Sequence, residues 1–201
     1  MLTIALPKGR IAEQTLEKFE KVFNEKFVFE DRKLILKKAG FTFLNVRNQD
    51  VPTYVMHGAA DLGVVGLDVL EEKEYDLVKL LDLEIGQCKV AIGLRAGDKI
   101  DWSKSKITVA TKHTTIAKRF FESKAMAVDI VKLYGSIELA PLVGLADCIV
   151  DIVETGETMK QNGLEVGETI MQSSVFLISN KNSYYNKKTQ ILDLREQLAS
   201  T

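Results

Sequence analysis

The sequence predicts an α/β protein of two lobes with mostly parallel sheets. Three observations carry that expectation. Short β-branched or apolar runs alternate with stretches of helical spacing along the whole chain, the pattern of strand–helix units. Turns containing glycine, proline or hydroxyl residues separate them, as in Pro7-Lys8-Gly9-Arg10 and Thr155-Gly156-Glu157-Thr158. A polar break over residues 95–106 divides the series into two parts, and a length of 201 residues accommodates either one large domain or two small ones.

The elements follow in order. Residues 2–6 form a strand, and residues 11–23 have helical spacing with Leu16, Phe19 and Phe23 on one face. After the polar segment Glu30-Asp31-Arg32-Lys33 come strands at 34–36 and 41–46, joined by a turn at Ala39-Gly40. Asp50 is an N-cap candidate for the next helix, with Pro52 in its first turn. A strand over 61–65 passes through Gly66-Leu67-Asp68 into another helix, and 77–83 is strand or mixed. Residues 87–94 form a long β-like run. Strands at 107–110 and 128–133 flank a helix over 114–123, and Tyr134-Gly135-Ser136 turns into a short helix over 138–143. The apolar run from Cys148 is a buried strand carrying Asp151 late in its length, followed by the turn 155–158 and a helix from about Met159 that ends at Asn162-Gly163. Residues 168–179 contain a strand, and 190–198 form an amphipathic helix on Ile191, Leu194 and Leu198. The runs 87–94 and 168–179 are expected to cross between lobes, which gives a first lobe of residues 1–90 plus 172–201, a second of 91–171, and a ligand cleft between them.

Bulk properties narrow the function. With 46% hydrophobic and 27% charged residues the chain has the composition of an ordinary globular domain, and a net charge of −1 supplies no bulk attraction to nucleic acid or to an anionic membrane. No apolar run approaches the ~20 residues of a membrane span, and the N-terminus opens directly on a strand without a signal-peptide pattern, so the expected location is the cytoplasm. Cys88 and Cys148 sit in apolar runs and read as buried thiols. His57 and His113 show no metal-ligand spacing with them, which argues against a protein-caged metal. His57 reads as a helix-end residue, and His113 sits before a helix where it can contact an anion.

Four turns carry residue types suited to an anionic ligand. Lys8-Gly9-Arg10 puts two cations at a helix N-terminus, where they oppose the helix dipole unless an anion relieves them. Asp31-Arg32-Lys33 adds two more cations, Tyr134-Gly135-Ser136 leads to Glu138, and Asp151 precedes the hydroxyl- and glycine-bearing turn 155–158. Each also fits a solvated or capped turn that binds nothing. Together they suit a ligand with two anionic ends and a polyol between. Asp151 can accept from sugar hydroxyls, the turn after it can hold a phosphate monoester, and Arg10, Arg32 and Lys33 can take a second phosphate group. The glycine patterns of a P-loop and of a dinucleotide fold do not occur.

The stretch Gly144-Leu145-Ala146-Asp147-Cys148-Ile149-Val150-Asp151-Ile152-Val153-Glu154-Thr155-Gly156-Glu157-Thr158-Met159, with Glu138 ahead of it, resembles the signature of the ATP phosphoribosyltransferases. So do Ala5-Leu6-Pro7-Lys8-Gly9-Arg10, Asp50-Val51-Pro52-Thr53-Tyr54-Val55, Gly58-Ala59-Ala60-Asp61-Leu62-Gly63 and Lys132-Leu133-Tyr134-Gly135-Ser136. The resemblance runs from residue 2 to about residue 180. It implies a fold like a periplasmic binding protein of the second type and the first step of histidine biosynthesis, in which ATP and phosphoribosyl pyrophosphate give N1-(5-phosphoribosyl)-ATP and pyrophosphate.

Residue by residue, the resemblance implies that Thr155, Gly156, Glu157 and Thr158 hold the 5′-phosphate. Asp151, with Glu154, faces the ribose hydroxyls. It places Arg32, Lys33 and Arg10 at the leaving pyrophosphate as catalytic residues, with Lys8 and Gly9 at the same anionic centre, and Arg47, Tyr134, Ser136 and Glu138 on the ATP side. Mg²⁺ is expected to ride on the pyrophosphate oxygens. The chain stops after the helix over 190–198 and is therefore expected to be the short form, which lacks a C-terminal regulatory domain. That form works as a homodimer within a hetero-oligomer, beside a regulatory subunit resembling histidyl-tRNA synthetase. A two-lobed binding protein without catalysis is the alternative. A purine phosphoribosyltransferase is disfavoured because Asp151 stands alone between Val150 and Ile152, where two adjacent acids are usual.

Overall fold

The computed structural model describes residues 1–30 and 32–200. Their contacts divide the chain into two compact units, Met1–Gly86 with Ser174–Thr201, and Gln87–Ser173.

In the first unit the chain runs β1 (Leu2–Pro7), α1 (Arg10–Phe23), β2 (Ile35–Lys38), β3 (Phe41–Val46), a 3₁₀ turn (Asn48–Asp50), α2 (Val51–Met56), β4 (Leu62–Gly66), α3 (Leu67–Lys73) and β5 (Val78–Asp82). The second unit contains β6 (Cys88–Arg95), β7 (Lys106–Thr111), α4 (Thr114–Ser123), β8 (Ala127–Lys132), α5 (Leu139–Leu142), β9 (Cys148–Val153), α6 (Glu157–Gln161) and β10 (Leu164–Ser173). The chain then returns to the first unit with β11 (Val175–Ser179), α7 (Lys181–Asn186) and α8 (Lys188–Ala199).

The first unit's sheet has the order β2-β3-β1-β4-β11-β5, and the second's β10-β6-β9-β7-β8. The α/β class holds, but the sheets are mixed where mostly parallel ones were expected. Strands β3-β1-β4 and β9-β7-β8 are parallel, while β2, β11, β5, β6 and β10 pair antiparallel. The reason is local. β2 and β3 are joined by a tight hairpin at Ala39 (φ 49°) and Gly40 (φ 78°), too short for the crossover that parallel pairing needs. The run expected to hold a single strand over 168–179 is two, broken at Ser174 and divided between the two sheets.

Alternation along β1 explains the first unit's layers. Leu2, Ile4 and Leu6 face α1 and α8 in a core with Leu16, Phe19, Phe43 and Ile191. Ala5 on the other face packs with Val51 and Val55 of α2 and Val69 of α3. Phe19 centres an aromatic cluster, 5.1 Å from Phe43 and 5.4 Å from Phe41 in edge-on contacts. In the second unit Val109, Val150 and Ile92 pack on Ile116 and Phe121 of α4, while Ala110, Ile149 and Ala91 face Ala140 of α5 and Met159 of α6.

Two local expectations change. Asp50 makes no side-chain cap bond, because it closes the 3₁₀ turn in helical conformation and Val51 continues directly into α2. The helix expected from about Met159 starts at Glu157 and is only five residues long. No helix of the described residues is long and apolar enough to cross a membrane.

Candidate functional site

The carboxyl ends of parallel strands are where α/β sheets present loops for ligands, and each unit has one such edge. In the first unit, Pro7 of β1 is in register with Val46 of β3. The Lys8 amide donates to the Val46 carbonyl at 2.9 Å. Lys8 and Arg47 therefore leave neighbouring strands side by side. Gly9 adopts φ +88°, and a Cβ added there would meet nothing within 4 Å, so backbone conformation rather than crowding calls for glycine. That turn delivers Arg10 as the first residue of α1.

β2 runs antiparallel to β3, so its start lies at this same edge: the Asn45 amide donates to the Leu34 carbonyl at 2.8 Å. Arg32 and Lys33, both exposed, immediately precede Leu34. The hairpin thus brings the Arg32-Lys33 pair to the edge that carries Lys8, Arg10 and Arg47. Lys33 Nζ lies 2.5 Å from Glu30 Oε2, and this hydrogen bond, with the lysine charge, lowers the Glu30 carboxyl below its usual range. Asp31 lies outside the described residues.

In the second unit, β7, β8 and β9 end at one edge. β7 stops at Thr111, opposite Val150, so Asp151 projects one residue beyond it. The Asp151 carboxylate is 16% exposed. Its Oδ1 accepts the Ile152 amide at 2.8 Å, and Lys112 Nζ stands 3.3 Å from the same oxygen. His113 Nε2 lies 3.9 Å from it.

Two strands are tied together beneath these groups. The Thr111 hydroxyl donates to the Val150 carbonyl at 2.6 Å and accepts the His113 amide at 2.8 Å. The polar triplet Thr111-Lys112-His113 directly after an apolar strand is the sequence signal that points to Lys112.

After β9 the chain turns through Thr155, whose hydroxyl accepts the Glu157 amide at 3.3 Å. Gly156 has φ +83°, and a Cβ there would meet Val166 Cγ2 at 3.1 Å. Glu154, Thr155, Glu157 and Thr158 are exposed around this turn. Because α6 is so short, its dipole adds little; turn amides and hydroxyls are what this loop offers an anion. From β8 come exposed Tyr134, with Lys132 Nζ 5.6 Å from its ring centre, and Ser136 at φ +49°. The Ser136 carbonyl accepts the Leu139 amide at 3.2 Å, which starts α5 beside Glu138.

Other reactive types are occupied structurally. Burial, then the neighbouring Asp147 charge, pushes the Cys148 thiol up to about 12, so it is no thiolate nucleophile. Cys88 is only partly buried. His57 caps the end of α2. It borders a pocket with Asp61, Asn180, Ser183 and Lys187 at the opposite, amino-terminal edge of β1 and β4, where Asp61 accepts the Thr3 amide at 2.9 Å. That pocket is remote from the basic edge along the sheet. Among the described residues no group of three or more His, Cys, Asp or Glu is placed to hold a metal.

The fold class is that of two-lobed α/β proteins of the type II periplasmic-binding-protein kind. A structure bound to L-arginine matches at TM-score 0.63 and 15% identity over 99% of this chain and 82% of that one. A substrate-binding protein of an amino acid ABC transporter matches at TM-score 0.61 and 11% identity, over 98% and 90%. Likeness at such identity concerns the fold alone.

The chain belongs to the ATP phosphoribosyltransferase family. The family's model matches residues 47–200. An ATP phosphoribosyltransferase of Wolinella succinogenes is 66% identical over 99% of this chain and 97% of its own length, and one of Campylobacter concisus is 61% identical over 98% and 97%. A solved ATP phosphoribosyltransferase complex of HisG and HisZ from Thermotoga maritima matches at TM-score 0.86 and 35% identity, over 100% of this chain and 98% of that one. The chain is thus a phosphoribosyl-transferring enzyme, of a family that uses a metal ion.

Proposed function

We propose that this chain joins ATP to phosphoribosyl pyrophosphate as the short-form catalytic subunit, in the cytoplasm, at the first step of histidine biosynthesis. Adenine N1 of ATP attacks C1 of the ribose as the C1–O bond to pyrophosphate breaks, and pyrophosphate carries away the bonding pair. The ribose becomes oxocarbenium-like while negative charge grows on the leaving group. Little covalent work falls to side chains, so positioning and electrostatic stabilisation dominate.

The second unit holds the donor. Thr155 to Thr158 take the 5′-phosphate, while Asp151 and, beside it, Glu154 receive the ribose hydroxyls. The first unit handles charge. Arg32, Lys33 and Arg10 stabilise the departing pyrophosphate, with Lys8 and Gly9 at the same centre. Arg47, Tyr134, Ser136 and Glu138 serve the ATP side. Mg²⁺ arrives on the pyrophosphate oxygens as part of the substrate, in keeping with its reluctance to shed water. The working form is a homodimer within a hetero-oligomer, beside a regulatory subunit resembling histidyl-tRNA synthetase.

The observation that carries this reading is the sorting of charge between the two edges. Lys8, Arg10, Arg32, Lys33 and Arg47 gather on one. An acid followed by a left-handed glycine turn stands on the other. The test is pyrophosphate release and product absorbance with ATP, phosphoribosyl pyrophosphate and Mg²⁺, with and without the regulatory subunit. Release that needs both substrates is expected; binding of either without turnover, even with the subunit present, overturns the reading.

A further inference from the structure

We infer that Lys112 is a positioning residue for Asp151, and that it acts on the donor sugar only through that carboxylate. The inference rests on the proposed role of Asp151 at the ribose. Three groups converge on one oxygen, Oδ1: the Ile152 amide at 2.8 Å, Lys112 Nζ at 3.3 Å and the His113 imidazole at 3.9 Å. Oδ2 is left as the oxygen that meets sugar hydroxyls. A carboxylate with one oxygen anchored has a fixed rotamer, so less side-chain freedom is lost when a ligand binds.

Lys112 is itself held. It lies between Thr111 and His113, whose backbone is pinned to β9 through the Thr111 hydroxyl. The His113 side chain beside the carboxylate is 2% exposed. The lysine also offsets the Asp151 charge. Otherwise that charge would stand close in sequence to the turn proposed to bind a phosphate dianion, and would oppose it.

Calorimetry with phosphoribosyl pyrophosphate and Mg²⁺, beside steady-state kinetics, tests this on four proteins: wild type, Lys112→Ala, Asp151→Asn and the double variant. Lys112→Ala is expected to raise Kd about tenfold, equivalent to about 1.4 kcal/mol, while kcat falls less than about threefold. Lys112→Arg, which keeps the charge, should return Kd to within about threefold of wild type. In the Asp151→Asn background the same Lys112→Ala change should alter Kd less than about twofold, because the group it positions is gone.

Equal losses from Lys112→Ala in both backgrounds would mean that the lysine contacts the ligand directly, and would overturn the inference alone. Asp151→Asn binding as tightly as wild type would remove Asp151 from the site, and the inference with it. Wild type that neither binds nor turns over the donor would overturn the functional reading itself.

Discussion

The two edges use one device and different materials. Both are the carboxyl ends of three parallel strands, β3-β1-β4 in one unit and β9-β7-β8 in the other. The first unit's edge carries long cations on flexible stems, and Lys8, Arg10, Arg32, Lys33 and Arg47 are all exposed. The second unit's edge is short and braced. Asp151 is largely buried and anchored at Oδ1, Thr111 ties two strands together, and Gly156 sits where a side chain would crowd Val166. In the proposed reaction the 5-phosphate and the ring hydroxyls stay chemically unchanged, so a rigid, pre-shaped edge suits them. A leaving pyrophosphate gains charge during reaction, and long arms can follow it.

The largest effect should come from breaking the flexible side of this comparison. Arg32→Ala is expected to lower kcat about 100-fold, with much smaller changes in donor Kd, if its contact strengthens as the leaving group charges. Steady-state kinetics with calorimetry separates the cases. A loss confined to KM would make the arginine a uniform binder and erase the contrast between the edges.

Much of this was legible in the sequence because it is periodic or punctuated. The strand β1, the face of α1 and the Asn162-Gly163 stop all follow from local rules. Ala39-Gly40 was legible as a turn. Strand direction was not, since period-two patterns read alike for parallel and antiparallel partners. The mixed pairing of the sheets and the break at Ser174 within the run over 168–179 therefore do not show in the pattern alone. The grouping of Arg32 with Lys8 was expected from the residue types and the resemblance, but no local rule yields it: it depends on the β2–β3 hairpin reversing the chain, a long-range pairing. The triplet Thr111-Lys112-His113 marks Lys112 in the sequence, but its partner does not show there. Asp151 lies 39 residues further along the chain and meets it only through β7–β9 registry.

A smaller effect should come from the opposite edge of the first unit, which carries structure without chemistry. Asp61 accepts Lys187 Nζ and the Ser183 hydroxyl at 2.8 Å each, and so ties the returning α7–α8 segment to β1 and β4. Burial opposes its ionisation. Hydrogen bonds from Lys187, the Thr3 amide and Ser183 outweigh that, and the carboxyl is lowered below its ordinary 3.8. A lowered folded pKa contributes stability that is present above 3.8 and lost as pH falls through the folded value. Asp61→Asn should therefore cost about 2 kcal/mol at neutral pH. The difference from wild type should shrink only in acid below 3.8, as seen in urea melts across pH. kcat at the basic edge should stay within about twofold, since distant sites act independently. A kcat loss comparable to that of Arg32→Ala would show that the first unit's sheet transmits strain from one edge to the other.

The smallest effect compares the two edges at single glycines of positive φ. Gly156 lies in the left-handed region (φ +83°, ψ −1°), and Gly9 outside it (φ +88°, ψ −151°). An alanine at Gly156 meets left-handed strain of about 1 kcal/mol, and one at Gly9 a backbone strain of about 1–3 kcal/mol. At Gly9 nothing lies within 4 Å of the new methyl, so strain is the whole cost. At Gly156 the methyl would meet Val166 Cγ2 at 3.1 Å and Val153 Cγ1 at 3.8 Å, so β10 or the turn must give by a few tenths of an ångström. Gly156→Ala should thus lose a further fraction of a kilocalorie in urea melts, and should raise donor Kd about fivefold as the phosphate turn shifts. Gly9→Ala should change donor Kd less than Gly156→Ala does, since no neighbour has to move. Equal effects on donor Kd would mean that the second edge is no more tightly built than the first, and its rigidity would then have to come from Asp151 and Thr111 alone.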